Sequence, residues 1–209
     1  MIRTVLLVFI ISCTTQVVAQ DFPSQVWHDG EIVLLEGDTL KGQVKYSQET
    51  DIVEFTRGNA NTAIAFSARK VLYFEIFDRS VNRYREFYAL PFAVKGDYET
   101  PVVFEVILEG RPITILSRER IEYKVVNYPY AVSGTYSRLE LMYTYYFLGK
   151  DGKIKVFPGS KKDLIWMLKD KSQLIKKFMK ANRIRPERRV DLIKTVDYYN
   201  SLFKETKTP

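Results

Sequence analysis

The sequence is poor in the side chains that most often bind metals or act as nucleophiles. It contains one cysteine, Cys13, and one histidine, His28, in 209 residues. One histidine with no HExxH motif does not make a zinc site, and no Gly-x-Ser-x-Gly elbow accompanies it for a Ser-His-Asp triad. Gly37 and Gly42 lack the spacing and the following Lys-Ser/Thr of a phosphate loop. The sequence therefore predicts no metal site, no cofactor and no catalytic residue of these kinds.

Long hydrophobic runs are also missing. The apolar run at residues 5–11 is far shorter than the roughly 20 residues that a transmembrane helix needs. It follows the single charge of Arg3 and precedes small residues, which is typical of a secretory signal peptide over residues 1–19, cleaved after Ala19. Cleavage there would leave a mature chain without cysteine and hence without a disulfide.

A second cleavage site also fits the leader. Residues 10–13, Ile-Ile-Ser-Cys, resemble a lipobox. Cleavage before Cys13 would make this cysteine the acylated first residue of the mature protein. Both alternatives predict export with no transmembrane span. The first gives a periplasmic or secreted protein, and the second gives a lipoprotein anchored through Cys13.

Charge is divided unequally along the chain. Residues 20–149 contain 14 Lys+Arg against 18 Asp+Glu, a net −4, whereas residues 150–209 contain 17 against 7, a net +10. This split predicts an acidic body with a basic arm for an anionic partner. In an exported protein that partner is an envelope lipid, a glycan or another envelope protein, and not nucleic acid. Alternatively, both parts are merely solvated, or they attract each other within the fold.

The residue pattern changes at the same boundary. Residues 20–158 contain short runs rich in Val, Ile, Tyr, Phe and Thr, separated by turn residues, which predicts an antiparallel β domain folded as a sandwich, roll or partial barrel. In residues 159–209 apolar side chains recur every three or four positions, which predicts a pair or trio of helices packed on or beside the β domain. The predicted fold class is α+β.

The helical part contains its own boundary signals. Ser172 is placed to cap the second helix, and Pro186 is placed to open the last one. The buried side of that last helix is predicted from its apolar spacing. Its expected members are Val190, Ile193, Val196, Tyr199 and Phe203.

The stretch "EGDTLKG", residues 36–42, contains a carboxylate, a hydroxyl and a lysine, yet its pattern is that of a tight hairpin. Gly37 is expected to supply the positive φ of a primed turn, with Asp38 and Lys41 as solvated turn residues and not catalytic groups. Residues 106–116 and 147–157 show similar hairpin patterns.

Tyrosines form the first candidate ligand surface. Residues 127–137 combine them with Pro, Gly and Ser, so their rings are candidates for stacking on a sugar or a peptide. Ordinary strand packing is the alternative. The candidates are Tyr128, Tyr130 and Tyr136.

Arginines around a helix–helix turn form the second candidate surface. Guanidinium groups suit phosphate or carboxylate, and a solvated turn is the alternative explanation of the cluster. The candidates are Arg183, Arg185, Arg188 and Arg189.

A carboxylate pair for glycoside hydrolysis leaves no local motif, so such chemistry cannot be assigned from spacing. The carboxylates that could supply one are Glu105, Glu119, Glu122 and Glu140.

The "EGDTLKG" hairpin near the leader and the C-terminal "VDYYNSLF" resemble a group of secreted proteins of Gram-negative bacteria without an established activity. The resemblance covers that hairpin and about the last fifty residues, a basic helical segment ending in a YYN motif. It implies export and this architecture, and no mechanism. The predicted function is an exported cell-envelope protein that binds or scaffolds and is not an enzyme. The alternative is a hydrolase of envelope glycans or lipids.

Overall fold

The computed structural model of the protein describes residues 21–58, 62–127 and 135–203, so the predicted leader and Cys13 lie outside the described residues. An antiparallel sheet is followed by helices, which confirms the predicted α+β class. The strands are β1 (His28–Leu34), β2 (Thr39–Ser47), β3 (Ile52–Thr56), β4 (Ile64–Ser67), β5 (Val71–Asp78), β6 (Arg83–Phe92), β7 (Thr100–Leu108), β8 (Ile113–Asn127), β9 (Thr135–Gly149) and β10 (Ile154–Phe157).

All ten strands belong to one sheet, in the order β10-β9-β8-β7-β6-β5-β1-β2-β3-β4, and every neighbouring pair is antiparallel. The sheet curls so strongly that the β2–β3 connection lies against β7 and β8. There Gln48 donates from Nε2 to the carbonyl oxygens of Val103 (3.0 Å) and Ser117 (3.3 Å). A single curled sheet is a partial barrel, so of the three predicted shapes the sandwich of two separate sheets is excluded.

The curled face encloses an apolar core, because alternate residues of each strand point inward. Ile32, Phe74 and Phe87 are fully buried there, and the rings of Phe74 and Phe87 stack with centroids 4.6 Å apart. A second apolar cluster joins Ile115 and Phe147 of the sheet to the buried faces of the C-terminal helices.

Three helices follow the sheet: α1 (Lys161–Met167), α2 (Ser172–Ala181) and α3 (Arg189–Ser201). The predicted cap at Ser172 is wrong, since Ser172 is the first residue of α2 and no side chain caps that helix. The cap lies at α1 instead, where Ser160 accepts a hydrogen bond from the backbone N–H of Asp163 (3.1 Å).

The start and buried side of α3 also differ from the prediction. The helix begins at Arg189, so Pro186 is a buried residue of the preceding turn and not its first residue. Val190 and Phe203 are exposed. The buried side of α3 differs from the predicted apolar stripe because it includes polar residues. Asn200 is one of them, and its side chain forms hydrogen bonds with backbone atoms of β8. The buried residues of α3 are Leu192, Thr195, Val196, Tyr199 and Asn200.

The "EGDTLKG" turn has the predicted positive φ, +97° at Gly37. It is not a primed two-residue turn, however. Gly37 N–H donates to the Leu34 carbonyl, and Leu34 N–H donates to the Asp38 carbonyl, which encloses a three-residue loop with glycine in the left-handed position. Residues 149–153 repeat this geometry, with φ +76° at Gly152.

Candidate functional site

A buried ionic cluster lies on the inner face of the curled sheet, with Arg85 of β6 at its centre. Arg85 is 4% exposed. It donates Nε and Nη2 to Glu105 of β7 (3.0 and 2.8 Å), Nη2 also to Glu119 of β8 (2.9 Å), and Nη1 to Asp78 of β5 (3.1 Å). Three strands thus direct a carboxylate at one guanidinium.

Hydroxyl groups complete the cluster. Tyr46 donates to Glu119 (2.6 Å) and accepts from Nη1 of Arg85 (2.9 Å), and Ser117 donates to Glu105 (3.2 Å). Among the described residues, no buried side-chain nitrogen or oxygen lacks a hydrogen-bond partner. The cluster is therefore satisfied, which is the condition under which buried charge is tolerated.

The protonation of the cluster follows from these contacts. Burial raises the pKa of Glu105, but the hydrogen bond and charge of Arg85 outweigh burial, so the pKa lies below its ordinary value. The pKa of Asp78 is likewise lowered, with burial opposed by hydrogen bonds from Ser80 and Arg85. Burial lowers the pKa of Arg85, whereas Tyr46 and Glu105 raise it, and the net direction is upward. At neutral pH both carboxylates and the guanidinium are charged.

The structure thus brings together two of the carboxylates considered for hydrolysis, Glu105 and Glu119, but neutralises them. Both bond to the same nitrogen of Arg85 and are almost fully buried. A general acid for glycoside cleavage needs a raised pKa, whereas the pKa of Glu105 is lowered. The cluster is suited to holding strands together and not to proton transfer.

The other two carboxylates, Glu122 and Glu140, face each other across β8 and β9. They lie on the outer part of this hairpin and form surface ion pairs, Glu122 with Arg120 (2.5 Å) and Glu140 with Lys124 (2.9 Å). Glu122, unlike Glu140, borders an open depression of about 300 Å³ that Glu119 also lines. Both carboxylates are held in surface ion pairs, which contribute little energy.

The tyrosine surface lies mostly outside the described residues. Tyr128 and Tyr130 are not among them. Tyr136 is paired with Val126 in the β8–β9 ladder, but its side chain also lies outside what the structure describes. The proposed stacking surface therefore stays a prediction.

The four arginines of the C-terminal turn do not act as one group. Arg189 reaches Glu105 of the buried cluster (Nη2 to Oε1, 3.4 Å) and lies over the ring of Tyr143. Arg183, Arg185 and Arg188 are exposed. The alternative that the basic segment docks on the acidic body thus applies to Arg189, while the other three face solvent.

A lysine face continues this exposed charge along α2. Ile175 and Met179 are buried on one side of the helix. The opposite side exposes Lys176, Lys177 and Lys180, which recur at the three- and four-residue spacing of one helical face. Within the described residues from 150 onward, Arg189 is the one cation that forms a salt bridge. The positive charge of the described part of this segment is therefore mostly unneutralised.

An exposed aromatic ring lies close to this charge. Trp166 of α1 is 68% exposed, and it borders a groove of about 120 Å³ between α1 and the β9–β10 hairpin. Apolar spacing does not reveal this residue, because Leu164 and Leu168, on either side of it, carry the buried face of α1. Trp166 falls between these buried positions, so its place in the sequence is compatible with an exposed ring.

Comparisons with protein-family models, curated proteins and solved structures found no match to this chain. Among the described residues, no group of three or more His, Cys, Asp or Glu is placed to hold a metal ion. In the same part of the chain, no helix has both the length and the hydropathy that crossing a membrane requires.

Proposed function

We propose that the protein is an exported, non-enzymatic binding module that attaches to anionic lipid of the cell envelope through its C-terminal helical segment, residues 159–203. The carrying observation is that this segment exposes its lysines and arginines without salt bridges, apart from Arg189. Unpaired surface cations attract an anionic surface over distances of about 8 Å at physiological ionic strength.

The β domain serves as the scaffold in this proposal. It fixes the helical segment at two points, through the contact of Arg189 with Glu105 and through the bonds of Asn200 to the backbone of Ile113 (3.1 and 2.7 Å). The apolar cluster shared by the sheet and the helices adds to this attachment. A segment that is already ordered loses less conformational entropy on binding, which favours affinity.

The hydrolase alternative has weaker support. Its best carboxylates, Glu105 and Glu119, are occupied by Arg85, and the remaining pair is held in surface ion pairs. The basic surface, in contrast, needs no rearrangement to meet a ligand.

Export rests on the leader pattern of residues 1–19. Intact-mass analysis of the protein from a cell fractionation tests it. We expect an envelope species that begins at Gln20, and a mass increase of a diacylglycerol on Cys13 would select the lipoprotein alternative. A cytoplasmic species retaining Met1 would contradict export.

Co-sedimentation with vesicles tests the binding proposal. We expect the protein to sediment with phosphatidylglycerol-containing vesicles and not with pure phosphatidylcholine, and to dissociate as salt is raised. Replacing Arg183, Arg185 and Arg188 by Gln should weaken binding, with Arg189 left in place because it contacts Glu105. Equal binding to both lipids, or undiminished binding of the variant, would refute the proposal.

A further inference from the structure

The groove beside Trp166 has an apolar floor at the edge of the second core cluster. Phe147 is buried in that cluster, and Ile113 and Met167 pack against it. All three residues line the groove together with Trp166, and its volume of about 120 Å³ leaves room for a few methylene groups. The groove is thus an opening of the core toward solvent.

The ring of Trp166 is mostly exposed to solvent. No described aromatic ring stacks on it, and no described acceptor receives its indole N–H. Trp27 offers a contrast, because it is less exposed (40%) and the Lys45 ammonium lies 5.6 Å from its ring centroid. An indole combines a large apolar body with a polar N–H, a combination that is enriched where hydrocarbon meets water.

Three lysines, two from the β9–β10 hairpin and one that follows α1, surround the groove. Lys153 precedes β10, Lys155 lies within it, and Lys169 follows α1. All three are exposed, and none forms a salt bridge with a described residue. The one carboxylate of the lining, Asp151, accepts the backbone N–H of Lys153 (3.2 Å) and belongs to the hairpin turn. The rim is therefore cationic while the floor is apolar.

We propose that this groove is the lipid-contacting site of the protein. The phosphate of an anionic phospholipid lies among Lys153, Lys155 and Lys169, and the ring of Trp166 enters the interfacial layer beside the first acyl carbons. The positive charge of the three lysines favours an anionic headgroup. The apolar floor and the exposed indole favour binding of a lipid over binding of free phosphate, because phosphate has no acyl chain to contact them. This inference rests on the proposed function, and it adds Lys153 and Lys155 of the adjoining β9–β10 hairpin to the binding surface of the helical segment.

The remaining cations have a different part in this arrangement. Lys176, Lys177 and Lys180 lie on α2, outside the groove lining, and supply long-range attraction. Lys153, Lys155 and Lys169 make the close contacts. Loss of the first set should weaken binding without changing the environment of Trp166 in the bound protein.

Tryptophan fluorescence of the full chain tests the site, since the protein has two tryptophans. In a Trp27→Phe background only Trp166 emits. With phosphatidylcholine–phosphatidylglycerol vesicles we expect its emission to move to shorter wavelength, and lipids brominated on the acyl chain near the headgroup to quench it. In the matched Trp166→Phe variant, the emission of Trp27 should stay unchanged and sedimentation with vesicles should weaken.

The outcomes separate this inference from the proposed function. Sedimentation with anionic vesicles without a shift or quenching of Trp166 would overturn the groove while leaving the proposed function standing. Loss of sedimentation altogether would overturn both. Inorganic phosphate that shifts Trp166 as strongly as vesicles do would overturn the lipid as occupant. A shift that disappears when Lys153, Lys155 and Lys169 are replaced by Gln, with quenching by the brominated lipid in the parent, is the result that the inference predicts.

Discussion

The hydroxyl of Tyr46 donates a hydrogen bond of 2.6 Å to Glu119, although their strands, β2 and β8, are separated by four other strands in the sheet. This contact exists only because the sheet curls. It links the curl to the ionic cluster around Arg85, since the same hydroxyl accepts from that guanidinium. The curled shape of the sheet therefore allows the ionic cluster to form, and the hydrogen bonds of the cluster in turn hold β2 against β8.

The replacement Tyr46→Phe should destabilise the protein by about 1–3 kcal/mol, because it removes one hydrogen bond from the buried carboxylate of Glu119 and one from the buried guanidinium of Arg85. Denaturant-induced unfolding measures this loss. Tyr84→Phe is the control, since Tyr84 is 64% exposed and its hydroxyl should contribute almost nothing. Equal stabilities of the two variants would show that the cluster does not depend on Tyr46.

Stability should fall on acidification. Glu105 and Asp78 have pKa values below their ordinary values of 4.5 and 3.8, so the folded state retains their charge at a pH where the unfolded chain takes up protons. Their contribution is complete above those ordinary values and is lost as pH falls through the lowered pKa values. Melting temperatures measured by thermal unfolding between neutral pH and pH about 2 should therefore decrease as the pH is lowered. A melting temperature that is constant, or that rises with acid, would contradict the assignment.

Asn200 should be needed for attachment of α3 to the sheet. Its side chain bonds both the N–H and the carbonyl of Ile113, and a Cβ at Gly110 would lie 2.2 Å from its Nδ2 atom. Asn200→Ala should cost about 1–3 kcal/mol by leaving these backbone groups unpaired. Gly110→Ala should also destabilise by displacing the amide. Hydrogen exchange of α3 distinguishes local detachment from global unfolding, and unchanged exchange in both variants would refute this role.

The turn at Gly37 should be sensitive to backbone conformation and insensitive to side-chain chemistry. A left-handed φ costs a non-glycine residue about 1–2 kcal/mol, so Gly37→Val should lower the free energy of unfolding by at least that amount. Asp38→Ala and Lys41→Ala should leave both stability and vesicle binding nearly unchanged. If either alanine variant abolished binding at unchanged stability, the turn would be a functional site instead.

Local patterns predicted the elements of this fold well. The alternation within β5 and the switch to helical spacing after residue 158 both correspond to observed elements, because each reflects burial of one face. The boundary of α3 was harder to predict, since Pro186 is equally compatible with a turn before a helix. Its polar buried residue, Asn200, could not be predicted because its partner lies 87 positions earlier.

The ionic cluster illustrates why sites are harder to predict than strands. The sequence indicates Glu105 and Glu119 as candidates, but their spacing does not reveal Arg85, which comes from another strand and holds both carboxylates in hydrogen bonds. Among the arginines, nothing local distinguishes Arg189 from Arg188. Arg189, the first residue of α3, contacts Glu105, whereas Arg188, the residue before the helix, faces solvent.

The affinity for anionic vesicles of two charge-matched variants tests the central claim most directly. One variant replaces Lys176, Lys177 and Lys180 of α2 by Gln. The other is the control variant, in which Gln replaces three exposed basic residues in turns of the β domain. Those control positions are Arg69, Lys70 and Lys95.

Both variants lose the same net charge, so a difference between them reports where the charge acts. If the helical segment binds the envelope, the α2 variant should lose about tenfold or more in affinity, which corresponds to about 1.4 kcal/mol, while the β-domain variant binds nearly as the parent does. Equal losses in the two variants would contradict the account, because attraction would then follow total charge and not the C-terminal helical surface.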